Sequence, residues 1–148
     1  MPGLNRTDPY GGYMFKVELG GVIQAQFKTC AGLDSARSAV KYREGTETSL
    51  ASRQLGGLVN VTNITLAHGI TSESSLWDWY NDVANGKIAR RDIAIVLFDD
   101  LQNERIRWTV KNAWPTKWSG PSFDATSDAI AIETLELVHE GVEKTSWK

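Results

Sequence analysis

Arg105 to Gly141 reads RIRWTVKNAWPTKWSGPSFDATSDAIAIETLELVHEG, and its patterning decides the fold class. Ile106, Trp108 and Val110 alternate with Arg105, Arg107, Thr109 and Lys111, which is a strand with one apolar and one wettable side. A second strand is predicted from about Ser127 to His139. Its apolar residues change phase, from Ile130 and Ile132 to Leu135 and Leu137, and a period-two strand accommodates that only with a bulge or bend near Glu133–Thr134. Between the strands, Trp114, Pro115, Trp118, Gly120, Pro121 and Phe123 read as a loop. No catalytic constellation accompanies these aromatics, a combination that points to shape and assembly rather than chemistry.

The rest of the chain agrees with that reading. It has 148 residues, the size of one domain, and a net charge of −2, so nothing drives it in bulk toward nucleic acid or anionic membranes. Its longest apolar run, Ile93 to Phe98, is far too short to span a bilayer, and MPGLNRTDPYGG lacks the pattern of a signal peptide. Synthesis in the cytoplasm, with no membrane anchor, is the expectation. Cys30 is the one cysteine, which excludes an internal disulfide and a cysteine-based metal site. Six tryptophans are more than so small a core accommodates, so one or two belong at a subunit interface.

Residues 1–11 read as an extended arm, with two prolines and two glycines in MPGLNRTDPYG. Tyr13 to Leu19 and Val22 to Thr29 form a hairpin around Gly20-Gly21, its wettable face carrying Gln24, Gln26 and Lys28. A strand from about Ala36 to Arg43 precedes a polar stretch, Glu44 to Gly57, predicted to be a long loop or hairpin that orders against another subunit. Leu58 to Ala67 reads as one strand with Asn63 and Thr65 on its polar face. A helix follows, capped by Thr71 or Ser72, with Leu76, Trp79, Tyr80 and Val83 at helical spacing and Gly86 as its left-handed stop. IAIVLF is apolar on both faces and belongs at the centre of a sheet. The sum is about seven strands and one helix: a mainly β chain, built as an antiparallel β-sandwich or partly closed barrel.

Chemistry is hard to find. His68 and His139 lie outside any metal-ligand spacing and read as solvent-edge residues. Asp99 and Asp100 point to opposite sides of a strand end and suit a turn. Cys30 has no activating partner and reads as a small core residue. Three classes remain: an assembly protein, a barrel binding a small ligand, and an enzyme. The long polar loop, the terminal arms and the surplus of tryptophan favour the first.

Motifs in order along nearly the whole chain sharpen this. They are FKV at Phe15–Val17 with Phe27, CAGL at Cys30–Leu33, YREG at Tyr42–Gly45, LGG at Leu55–Gly57, and ITL at Ile64–Leu66 followed by Gly69. LWDW at Leu76–Trp79, NAWP at Asn112–Pro115 and PSFDATS at Pro121–Ser127 complete the set. Together they resemble the tail tube (inner tube) proteins of contractile bacteriophage tails and of related contractile injection systems, with Gly56 where that family usually has proline. The resemblance implies a non-enzymatic, cofactor-free protein whose hexameric rings, strands joined into a continuous barrel, stack head-to-tail into a hollow tube. Its implied partners are a contractile sheath, baseplate and tube-terminating proteins, and a luminal cargo of effector protein or DNA. The tube protein of type VI secretion is the alternative within the same architecture.

On this reading the loop of residues 44–57 and both terminal segments are the expected contacts between subunits and rings: Glu44, Glu47, Ser49, Leu50, Arg53, Leu55, Asp8, Tyr10 and Trp147. The expected lumen-facing residues are Gln24, Gln26, Lys28, Asn63, Thr65, Arg105, Arg107 and Lys111. The Trp114–Phe123 segment becomes a rigid corner held by Pro115 and Pro121.

Overall fold

The computed structural model describes residues 8–20, 22–25, 27–46 and 52–148, the 22–25 segment by its backbone alone. The described elements are strands β1 (Phe15–Leu19), β2 (Val22–Ala25), β3 (Thr29–Ala31), β4 (Ser35–Tyr42), β5 (Arg53–Val61) and β6 (Ile64–Gly69), helix α1 (Ser75–Ala84), and strands β7 (Arg91–Phe98), β8 (Glu104–Ser119), β9 (Ile132–Val138) and β10 (Gly141–Trp147). All pairings are antiparallel. One sheet runs β2-β1-β7-β8-β9-β6-β3 with β10 also on β8, and β4 and β5 form a separate two-stranded ribbon. The sheet is open within the single chain.

Strand β8 is the hinge of the architecture. Its first half pairs with β7 along one edge and with β10 along the other, while Trp114–Ser119 pair with β9. The strand changes phase on the way: Ile106 and Val110 are buried in the first half, Ala113 and Pro115 in the second. The slip occurs at Asn112, which takes a left-handed φ of +50°. Asparagine tolerates that region, and its groups are held from both sides. Its N–H donates to Asp92 Oδ1 (3.1 Å) and its side-chain amide to Glu140 Oε2 (2.7 Å). A further register shift follows Pro115, where the ring removes a ladder donor. Folding about this bend brings two halves of one sheet face to face. Val17, Leu19, Ile93, Ile95 and Val110 then pack against Ile64, Leu66, Leu135 and Leu137 in one core.

Helix α1 closes one end by adding Leu76 and Trp79 to the core. The Trp79 indole N–H donates to Ala89 O at 2.9 Å, and the Arg91 guanidinium lies 4.9 Å from its ring centroid. The N-cap residue is Ser74, not Thr71 or Ser72, and its hydroxyl is turned to Asp78 Oδ2 (3.0 Å) rather than to the backbone. Gly86 ends the helix at φ +92°, as its position predicts.

Several elements depart from the sequence reading, each because a remote contact overrides the local pattern. The segment of residues 58–67 is two strands, broken at Thr62 and Asn63. Thr62 Oγ1 donates to Gly32 O (2.8 Å), and a Cβ on Gly32 would stand 2.0 Å from Asn63 O, so the break is where these two turns dock. Strand β5 begins at Arg53, inside the span read as a loop. Trp114–Trp118 belong to β8, so the aromatic loop is shorter than predicted and begins after Ser119. The last predicted strand carries no bulge: β9 alternates regularly, and Ile130 lies outside it, 78% exposed. Residues 141–147, read as a tail, are strand β10. With β3 and the division of β5 from β6, these changes raise the strand number from about seven to the ten described.

His68 is not at a solvent edge. It is buried with Glu133, its Nε2 facing Glu133 Oε1 and its ring meeting Phe27 edge-on. Glu133 Oε2 accepts the Trp118 indole N–H at 2.8 Å. The apparent phase change in the last strand is thereby explained, because Glu133 opens the inward-facing series that continues with Leu135 and Leu137.

Candidate assembly surfaces

The outward face of β1, β7, β8 and β10 gathers three of the predicted polar residues. Arg107 Nη1 donates to Glu18 Oε2 (2.8 Å) and its Nε to Glu104 Oε1 (2.5 Å). Arg105 Nε donates to Asp99 Oδ2 (2.8 Å), and Lys111 Nζ lies 3.7 Å from Asp92 and 3.8 Å from Glu143. Lys16 sits over the Phe98 ring at 5.0 Å, and Thr109 and Thr145 bond hydroxyl to hydroxyl. Each of these cations is engaged by a carboxylate or a ring. The sequence reading named the cations and missed their partners Glu18, Asp92, Glu104 and Glu143. Period-two alternation marks which side of a strand is polar, but the strand opposite is known only from the register.

The Arg107 guanidinium holds the Glu18 carboxyl below its ordinary range, and the same ion pair raises Arg107. Asp99 is lowered chiefly by the Asn103 backbone N–H, with Arg105 and the Leu101 N–H adding to it. A carboxyl depressed in the folded state stabilises the fold above its unfolded value, and that contribution is lost as pH falls through the folded one. Glu18→Gln is therefore expected to lower stability by a constant amount at neutral and alkaline pH and to flatten the acid limb below about pH 4.3, the ordinary glutamate value. Thermal midpoints of wild type and variant from pH 7 downward test this; parallel acid limbs refute it.

The other predicted lumen residues lie elsewhere. Asn63 and Thr65 sit at and beside the start of β6, on the far side of the sandwich, with Asn63 Nδ2 donating to Glu136 Oε1 (2.9 Å). Lys28 is exposed just before β3 and lines a cleft. Gln24 lies on β2, whose side chains are not described, and Gln26 is outside the described residues. Of the described residues, Arg105, Arg107 and Lys111 thus lie on one outer face, Asn63 and Thr65 on the other, and Lys28 at a cleft.

The predicted contact residues divide likewise. Tyr10 OH donates to Lys148 O (2.9 Å), so the described end of the arm lies against the C-terminus of its own chain. Asp8 shares a cleft with Tyr10 and the Asp99–Leu101 turn. Trp147, 59% exposed, ends β10 with its ring edge-on to Trp108. Glu44, Arg53 and Leu55 belong to the β4–β5 ribbon or its tip, while Glu47, Ser49 and Leu50 lie outside the described residues. The ribbon is exposed along all eight residues of β4 and seven of the nine of β5. An isolated two-stranded ribbon is at best marginally stable in water. Of the six tryptophans, Trp77 and Trp147 are exposed and Trp79 is buried, the other three being partly covered.

Among the described residues no group of histidine, cysteine and carboxylate side chains is placed to hold a metal ion, and no helix is long and apolar enough to cross a membrane. What the fold presents is a β-sandwich with open strand edges, a projecting ribbon, exposed aromatics and a face of paired charges: the features of a subunit built to assemble. The chain belongs to the family of the T4-like virus tail tube protein gp19, whose profile matches residues 12–143. That family is structural rather than enzymatic. No curated protein matches the chain.

Solved structures agree. The chain is 32% identical to a chain of an extracellular contractile injection system, the PVC sheath–tube complex in its extended state, covering 93% of this chain and 92% of that one at a TM-score of 0.83. It is 30% identical to a chain in the tube-terminating cap of the anti-feeding prophage, covering 97% and 95% at a TM-score of 0.86. Hcp1 from Flavobacterium johnsoniae, 16% identical over 90% of this chain and 96% of its own, shares the fold at a TM-score of 0.55.

Proposed function

We propose that this protein forms hexameric rings that stack head-to-tail into the hollow inner tube of a contractile injection particle, surrounded by a sheath and ended by baseplate and terminator proteins. The observation that carries the proposal is the family match over residues 12–143, joined to relatives at 30% identity or above that come from sheath–tube and tube-cap structures. Those relatives favour an injection particle over a DNA-filled phage, and so a protein cargo. The subunit is synthesised and assembled in the bacterial cytoplasm.

In this reading, joining open sheet edges between subunits removes the unpaired backbone groups each protomer exposes. The face carrying Arg105, Arg107 and Lys111 lines the lumen. Its cations are already paired with Glu18, Glu104, Asp99, Asp92 and Glu143, so the wall has little left over to hold a passing cargo of either sign. Negative-stain microscopy of the purified protein tests the proposal. Rings and tubes with six-fold end views are expected. A protein that stays monomeric at high concentration, across salt and pH, overturns it.

A further inference from the structure

Three turns meet where the β4–β5 ribbon joins the sandwich. The ribbon's first pair is Ser35 opposite Val61, so Asp34 and Thr62 stand at its root. Thr62 Oγ1 donates to Gly32 O (2.8 Å) and lies 3.5 Å from Asp34 Oδ2, which ties the two sides of the root together. The β9–β10 turn, His139-Glu140-Gly141, meets them from the sheet. It is itself fixed on β8: the Glu140 N–H donates to Lys111 O (2.9 Å), and Glu140 Oε2 accepts the Asn112 side-chain amide. From this anchored turn the half-buried His139 ring reaches Thr62, 77 residues away in the chain.

The two bonds of the ring determine where its hydrogen sits. Nδ1 faces the Gly141 N–H at 3.2 Å, and a backbone N–H only donates, so Nδ1 is bare. Nε2 lies 2.7 Å from Thr62 O, and a carbonyl only accepts, so Nε2 carries the hydrogen. Both bonds exist together only in the neutral ring with its hydrogen on Nε2. A second proton has one place to go, Nδ1, where it sets two donors head to head. The ring must then turn away from Gly141, and in turning it carries Nε2 off Thr62 O. The carboxylates on the elements that meet here are engaged elsewhere: Asp34 lies beside Thr62, Glu136 accepts from Asn63, and Glu140 accepts from Asn112. Of the other charged groups on these strands, Lys111 lies between Asp92 and Glu143, and Lys117 stands opposite Glu136.

We propose that His139 is a proton-operated clasp at the root of the β4–β5 ribbon. As a neutral ring it ties that root to the β9–β10 turn; on protonation it lets go, so acidification loosens the ribbon against the sandwich. The ties from Thr62 to Gly32 and from Asn63 to Glu136 remain and keep the ribbon attached. The device is built from the protomer's own bonds and does not depend on the tube reading.

Nitrogen NMR of histidine-labelled, dispersed protein tests the resting state. At neutral pH the His139 ring, identified by the loss of its signals in His139→Gln, is expected to carry hydrogen on Nε2 alone. A ring protonated on Nδ1, or one averaging between the two tautomers, overturns the proposal. Amide exchange, corrected for its intrinsic dependence on pH, tests the release. Histidines ordinarily titrate between about pH 8 and about pH 5, and over that range the protection of Gly141 and of the Ser35–Val61 end of the ribbon is expected to fall in the wild type. The fall is about tenfold or more, the effect of losing two ordinary hydrogen bonds. The Glu140 amide, held by Lys111 O, is the internal reference and is expected to keep its protection. His139→Phe, a flat ring without either bond, is expected to show the low protection throughout. Wild-type protection at the root that ignores pH, or that changes as much in His139→Phe, overturns the clasp. Should the phenylalanine variant not fold, the wild-type tautomer and the wild-type profile against Glu140 decide.

Discussion

Glu133→Ala is expected to lower the stability of the dispersed protomer by about 2–5 kcal/mol, at roughly 1–3 kcal/mol for each buried polar group left without its partner. His68 and Glu133 are both buried; the carboxylate accepts the Trp118 indole N–H through Oε2, and its Oε1 faces His68 Nε2. Alanine leaves the indole N–H without its acceptor and His68 without the carboxylate it faces. The double variant His68→Leu/Glu133→Leu is expected to recover most of the loss, because apolar side chains of similar size remove the desolvation penalty along with the pair. Only the Trp118 N–H is then left unpaired. Urea unfolding of wild type, single and double variants measures the difference, and the cycle isolates the coupling. A single variant within 1 kcal/mol of wild type, or a double variant worse than the single, refutes the account.

Trp79→Ala is expected to cost about 3–5 kcal/mol as well, by a different mechanism. Among the described residues the indole is the largest of the fully buried side chains, and with Leu76 it seats α1 in the core. Truncation opens a cavity at the helix–sheet contact, abolishes the bond to Ala89 O, and strips Arg91 of the ring it covers. With a urea dependence of about 2 kcal/mol per molar, the midpoint falls by roughly 2 M. Trp77→Ala, at a largely exposed position of the same helix whose ring meets Trp118 edge-on at 4.8 Å, is the comparison and is expected to cost only about 1 kcal/mol. Equal losses at the two positions refute the assignment of Trp79 as the anchor.

The difference between Trp77 and Trp79 shows how far pattern reading reaches. Helical spacing placed Trp79 on the inward stripe with Leu76, and the structure buries both. The same holds for the Ile93–Phe98 run, which lies between β1 and β8 at the centre of its sheet. Local periodicity decides these positions because a helix or a two-sided strand has only one way to hide its apolar residues. It fails at Asn112. Nothing near this residue announces a left-handed φ; Asp92 and Glu140, remote along the chain, hold it there. It fails again at Glu133, where a carboxylate on an apolar strand face looks like a fault until His68 and Trp118 are brought to it.

The assembly surfaces follow the same division. Arg105, Arg107 and Lys111 were legible as one polar side of one strand, and the structure keeps them together. Asn63 and Thr65 were legible as polar too, yet belong to the opposite outer face, since the bend in β8 decides which strands share a side. The ribbon of β4 and β5 was half visible: its first strand has a clear pattern, whereas β5 carries two adjacent glycines and, among the described strands, pairs with β4 alone.

By itself the sequence determined the mainly β class, the one helix with its glycine stop, the core face of each well-patterned strand and, through the order of its motifs, the tail tube family. Those features depend on neighbours a few residues apart, or on the chain's order alone. Tertiary structure alone decided that NAWP bends within a strand instead of ending one, that His68 is buried against Glu133, and that β4 and β5 form a ribbon apart from the main sheet. Each of these depends on groups separated by tens of residues, whose meeting is set by strand register and by the bend at Asn112.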